Sequence, residues 1–148
     1  MPFSNDPQLM REIILDHYQY PRNKGKVDDA SYQVVHMDSS SCIDDFYIYL
    51  KEENGKIIDV RFDGVGCAIS TASISIMTEI IKGKSVEEAK TIIDNYKHMV
   101  HHDGDYDEDL LDEANVFQTT YKQANRIKCA TIGWDGLEKL IKEGKDNG

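Results

Sequence analysis

The sequence predicts an α+β fold, a three-stranded antiparallel sheet with helices packed on one face, as one domain over residues 1–148. Three observations carry this. Apolar residues recur at helical spacing before residue 20 and again after residue 67. Between them the pattern changes to alternation, the period of a half-buried strand. The dipeptide Asn54-Gly55 interrupts the alternating stretch and is a strong short-range hairpin signal.

The elements follow in order. Asp6 is a helix cap with Pro7 at the first helical position. Leu9, Met10, Ile13, Ile14 and His17 share a face, and Pro21 stops the helix near Tyr20. Residues 22–30 read as a polar connection. Tyr32 to Met37 forms the first strand. Phe46, Ile48 and Leu50 alternate with Asp45, Tyr47 and Tyr49 in the second, and Ile58, Val60 and Phe62 alternate with Asp59, Arg61 and Asp63 in the third. Counting back by twos, Cys42 and Asp44 fall on the covered face at the end of the sheet.

Gly64-Val65-Gly66-Cys67 reads as a glycine turn into a helix whose buried stripe is Ile69, Ala72, Ser73, Ile76, Met77, Ile80 and Ile81, closed by Gly83. Ser85 and Glu88 form a capping box for a helix with Ala89, Ile92, Ile93, Tyr96 and Met99 or Val100 inward. The acidic run Asp103–Glu113 reads as a solvated loop leading into a short helical piece. The last helix is expected from about Arg126 to Gly144, with Ile127, Ala130, Trp134, Leu137 and Ile141 inward.

A net charge of −10 with no basic patch argues against a nucleic-acid partner. No apolar run reaches the length that spans a bilayer, and residues 1–15 lack the charged-then-apolar order of a secretory signal. The expected location is therefore the cytoplasm, with no membrane partner.

Three cysteines make an odd count, so a disulfide framework would leave one over. Inert buried thiols, a metal site and reactive thiols remain open. Each cysteine falls at an expected element boundary: Cys42 entering a strand, Cys67 at a helix start and Cys129 in the first turn of the last helix, beside Arg126 and Lys128. A helix N-terminus favours a thiolate. Cys42, Asp44, Cys67 and Cys129 together offer three soft ligands and one hard one, a set that suits tetrahedral zinc. The spacing alone does not single out that site.

The chain resembles the SufU branch of the IscU/NifU-like iron–sulfur assembly family. The pieces are Leu15-Asp16-His17-Tyr18, Pro21-Arg22-Asn23-Lys24-Gly25, Cys42-x-Asp44, Gly64-x-Gly66-Cys67 and Arg126-Ile127-Lys128-Cys129-Ala130-Thr131 with Trp134. The resemblance implies the IscU/SufU-like fold and Zn2+ held by Cys42, Asp44, Cys67 and Cys129. It implies a persulfide sulfur accepted on Cys42 from a pyridoxal-phosphate cysteine desulfurase of the SufS type, and a SufBCD-type scaffold downstream. Arg126 would stabilise the departing thiolate. The alternative is a scaffold on which an iron–sulfur cluster is built. Cluster scaffolds of the family carry His before the third cysteine, where this chain has Lys128, and the long segment from Ala68 to Lys128 is similar to the sulfur-transfer branch. The chain departs from the family's P-x-C-G-D pattern, with Ser40 at the Pro position and Ile43 at the Gly position. If that Gly has a positive φ, Ile43 strains the loop.

Other candidates have plainer readings. His17 and His36 are expected to be packed or hydrogen-bonded, Trp134 to anchor the core, and Arg22 to be solvated or to touch a partner. His98, His101 and His102 read as a solvated helix end. Residues 103–114 imitate a calcium loop but place Glu108 where the loop needs Gly and Ala114 where it needs Glu.

Overall fold

A computed structural model of the chain describes residues 6–39 and 43–147. Its strands are β1 (Gln33–Asp38), β2 (Asp45–Glu53) and β3 (Lys56–Val65), in the order β1-β2-β3 and antiparallel throughout. Its α-helices are α1 (Pro7–Gln19), α2 (Ala68–Ile81), α3 (Val86–His101), α4 (Glu108–Leu111) and α5 (Ala124–Asn147). Two 3-10 helices, Asp112–Phe117 and Thr120–Lys122, join α4 to α5. Phe46, Ile48, Leu50, Ile57, Val60 and Phe62 are buried, whereas Val34, Tyr47 and Val65 are exposed, so the helices cover one face of the sheet. The expected fold class holds.

The caps act as the sequence implies. Asp6 accepts a hydrogen bond from Gln8 N–H at 3.0 Å and opens α1. Both arms of the Ser85–Glu88 capping box are formed. Asn54 and Gly55 both take positive φ, as a two-residue hairpin joining antiparallel strands requires.

Four details differ from the expectation. A bulge opposite Lys51 and Glu52 inserts Ile58 into β3, so Ile57 faces inward and Ile58 outward. Gly64 and Val65 extend β3 rather than forming a turn, and pair with Phe46 and Asp45. The connection after α1 is not simply polar: Gly25 N–H donates to the Phe62 carbonyl at 2.8 Å and Phe62 N–H to that of Asn23 at 3.1 Å, covering the edge of β3. Leu9 is exposed rather than packed.

The helix α2 is central. Eleven of its fourteen residues are buried, on every side, because it lies between the sheet, α1 and α5. A buried hydroxyl needs a partner, and those of Ser70, Ser73, Ser75 and Thr78 have them. Ser73 donates to the Ala130 carbonyl at 2.6 Å, and Thr78 donates to the Ser75 carbonyl at 2.7 Å. Ser75 Oγ lies 2.8 Å from His17 Nδ1, and His17 Nε2 lies 3.1 Å from Glu113 Oε1. His17 is thus buried and hydrogen-bonded, as expected, and ties α1 to α2 and to the segment after α4. Arg22 pairs with Asp16 at 2.6 Å. Trp134 is fully buried, stacked on Tyr96 at 4.0 Å. Among the described residues no helix is long and apolar enough to cross a membrane.

Candidate metal centre

Three of the four proposed ligands converge. One carboxylate oxygen of Asp44 and the sulfurs of Cys67 and Cys129 lie within 4.8 Å of one another. Cys42 lies outside the described residues. Neighbouring thiolates on a tetrahedral zinc would sit about 3.8 Å apart, so a small contraction suffices to close the group on an ion.

Each ligand comes from a different element. Asp44 directly precedes β2, and Ser39 N–H donates to its carbonyl at 3.1 Å, continuing the β1–β2 ladder by one step. The alternation of β2 turns its side chain to the helical face, where it is 2% exposed. Cys67 is the N-cap of α2, and its sulfur accepts the Ser70 N–H at 3.4 Å. It therefore sits at the positive end of the helix dipole. Cys129 is 3% exposed. Because α5 begins at Ala124, Cys129 lies in the second turn rather than the first, and the helix N-terminus acts on it less than the sequence suggested. The next residue fixes its place: the Ala130 carbonyl accepts hydrogen bonds from Ser73 at 2.6 Å and from Tyr96 at 2.7 Å. Burial pushes the Tyr96 phenol well up, so it remains a donor.

The geometry fits a cation. Asp44 Oδ1 accepts from Cys67 N–H at 3.1 Å and from Ser70 Oγ at 2.8 Å. Its Oδ2 is buried and has no hydrogen-bond partner among the described residues. A buried carboxylate oxygen left without a donor is costly. Here the carboxylate belongs to a cluster with two sulfurs, the soft-and-hard donor set that zinc takes. The site is also closely fitted. A Cβ on Gly66 would come within 2.6 Å of Asp44 Oδ1 and 2.5 Å of Phe46 Cζ, so only glycine lets the chain pass there.

Sequence reasoning missed Ser70. It occupies the third position of α2, where a hydroxyl reaches back to the cap, and here it aims the Asp44 carboxylate. Its signal was the three-residue spacing from Cys67. Arg126 and Lys128 are exposed on opposite sides of Cys129. Arg126 lines a groove with Ala68 and Ile69, the residues that follow Cys67, and Lys128 lines a second cleft with Met37 and Asp38. Among the described residues the histidines join no further metal-capable group. His98 pairs with Asp103 at 2.9 Å, His102 stacks on Tyr121 at 4.0 Å, and His36 is exposed but bonded to Asp45.

A model of the NifU-like N-terminal domain matches residues 9–145. The chain belongs to the NifU-like N-terminal domain family. It is similar to the zinc-dependent sulfurtransferase SufU of Bacillus subtilis, with 39% identity over 139 residues, 93% of this chain and 92% of that one. The scaffold protein IscU of Streptococcus pyogenes is 34% identical over 142 residues, 96% of this chain and 88% of that one. In structure, the NifU-like chain matches FiSufU of Fervidobacterium islandicum with a TM-score of 0.82 and 33% identity, over 88% of this chain and 94% of that one. A NifU-like protein of Brucella abortus, at 20% identity and a TM-score of 0.83, shares the fold, over 93% of this chain and 94% of that one.

Proposed function

We propose that this protein is a sulfur acceptor in iron–sulfur cluster assembly, taking a persulfide sulfur on Cys42 from a pyridoxal-phosphate cysteine desulfurase of the SufS type and stimulating its turnover. The observation that carries the reading is the buried Asp44 carboxylate, one oxygen of which has no partner among the described residues, grouped with the two sulfurs of Cys67 and Cys129. It occurs in a chain 39% identical to a relative named a zinc-dependent sulfurtransferase. Zn2+ would be held by Asp44, Cys67, Cys129 and Cys42, and when bound it lowers the pKa of ligand thiols and keeps them as thiolates.

The transfer is a thiol–disulfide-type exchange. The Cys42 thiolate attacks the terminal sulfur of the donor's persulfide. A new S–S bond forms to Cys42, the donor's S–S bond breaks, and its sulfur leaves as a thiolate with the electron pair. The transferred sulfur keeps its proton, and no external oxidant or reductant is needed. Arg126, exposed on the rim, is the cation offered to the leaving thiolate. A SufBCD-type scaffold would receive the sulfur next, in the cytoplasm.

Desulfurase turnover, measured with and without this protein, tests the reading. Cys42→Ala should abolish the stimulation, and undiminished stimulation by that variant would sink it. The relatives named IscU support the cluster-scaffold alternative. Metal analysis separates the two. Stoichiometric zinc that chelators remove only with loss of structure supports sulfur transfer; a brown, labile cluster without zinc supports the scaffold.

A further inference from the structure

Ile43, at 72%, and Val65, at 66%, are the two most exposed large aliphatic side chains among the described residues. They lie together. Ile43 directly precedes Asp44, and Val65 lies two residues before Cys67, so both border the metal-capable group. Val65 pairs with Asp45 across β2 and β3, on the open face of the sheet. Asp44 turns to the core, and Ile43 turns away from it. Single exposed aliphatics are ordinary. Two that adjoin a reactive centre form an apolar lip. Neither packs on the core, so folding does not require them.

We propose that Ile43 and Val65 form a docking lip for the sulfur-donating partner and select donors that carry an apolar patch beside their persulfide. The inference rests on the sulfur-transfer reading. Sulfur passes only between atoms in near contact, about 3.5 Å apart. Ile43 follows Cys42 directly in the chain. A donor surface that reaches Cys42 therefore covers Ile43, and Val65 borders the same centre. Covering these side chains releases water, and an apolar counterpart gains most from it. A charged counterpart would lose its hydration without a partner, which disfavours other donors.

The test uses Ile43→Thr and Val65→Thr, which keep β-branching at exposed positions, with Val34→Thr as control. Val34 is 52% exposed on the same sheet and pairs with Tyr49, away from the centre. A desulfurase of the SufS type is titrated with each variant, and zinc content is measured in parallel. The expected result is a half-saturation concentration raised about fivefold by each lip variant and at least tenfold by the pair. The plateau rate and zinc content should match the parent, and Val34→Thr should not move. If the parent protein fails to stimulate the desulfurase, the sulfur-transfer reading falls and takes the lip with it. If it stimulates but the lip variants titrate like the parent, or Val34→Thr shifts as much as they do, the lip alone is overturned.

Discussion

Replacing Asp44 by Asn separates a metal ligand from a structural polar group. The amide oxygen can still accept from Cys67 N–H and Ser70 Oγ, now 3.1 Å and 2.8 Å from Oδ1. The buried atom without a partner becomes an amide nitrogen instead of a carboxylate oxygen, and the buried negative charge is lost. Without metal, the variant should therefore be as stable as the parent to within about 1 kcal/mol. With metal, an anionic ligand is missing and affinity should fall at least 100-fold, a loss of about 2.7 kcal/mol of ligand stabilisation at saturating ion. For a chain of 148 residues, that lowers the melting temperature of the zinc-loaded protein by roughly 5–10 °C. Two thermal melts, one with a chelator and one with excess zinc, together with a competition titration for affinity, give the comparison. Equal losses in both melts would show that Asp44 is a structural residue and that its partnerless oxygen does not mark a metal site.

Gly66→Ala places a Cβ within 2.6 Å of Asp44 Oδ1 and 2.5 Å of Phe46 Cζ, so it should cost about 1–3 kcal/mol and weaken zinc binding by moving the carboxylate. A chemical denaturation curve and the same competition titration measure both effects, and a variant with parental midpoint and affinity would contradict the close fit. Ser85→Ala removes an acceptor 3.1 Å from Glu88 N–H and should cost about 1 kcal/mol in the same curves. Glu113 is held below the ordinary glutamate value of 4.5, chiefly by its hydrogen bond to His17. A lowered carboxylate pKa stabilises the fold above the unfolded value, and that stability is lost as pH falls below 4.5 through the folded value. The urea midpoint of Glu113→Gln should therefore fall less steeply than the parent's over that range, and parallel curves would refute the coupling.

The parts of this fold that were legible in the sequence are those set by local chemistry. The Asp6 and Ser85 caps, the Asn54-Gly55 hairpin and the inward stripe of α3 each depend on residues a few positions apart, and each is present as read. The differences arise where distant segments decide. The phase of β3 changes at Ile58 because the bulge is a property of its pairing with β2. Residues 23–25 look polar alone, but the free edge of β3 supplies their hydrogen bonds. α2 shows a stripe in sequence yet is buried all round, because three layers meet on it. At the centre, residue chemistry named Cys42, Asp44, Cys67 and Cys129 as a donor set but left inert, metal-binding and reactive thiols open, and the family resemblance favoured the metal. The convergence of Asp44, Cys67 and Cys129 could not be read from spacings of 23 and 62 residues.

The supports of the three described ligands explain why the centre lies at this end of the sheet. Asp44 is aimed by Ser70 and by the backbone of Cys67, Cys67 by the first turn of α2, and Cys129 by the two hydroxyls that hold the Ala130 carbonyl. All but the Tyr96 contact, which comes from α3, run through α2, the most buried helix, or its cap, so the ligand positions are fixed by the same packing that stabilises the core. The surface above is built on the opposite principle. Ile43 and Val65 are exposed and bonded to nothing in the core, where a substitution changes what a partner meets without disturbing the group beneath. A centre with rigid support below and an exposed apolar lip above can keep its chemistry while its partner changes. That is why partner preference is expected to reside in the residue beside Asp44 rather than in Asp44 itself.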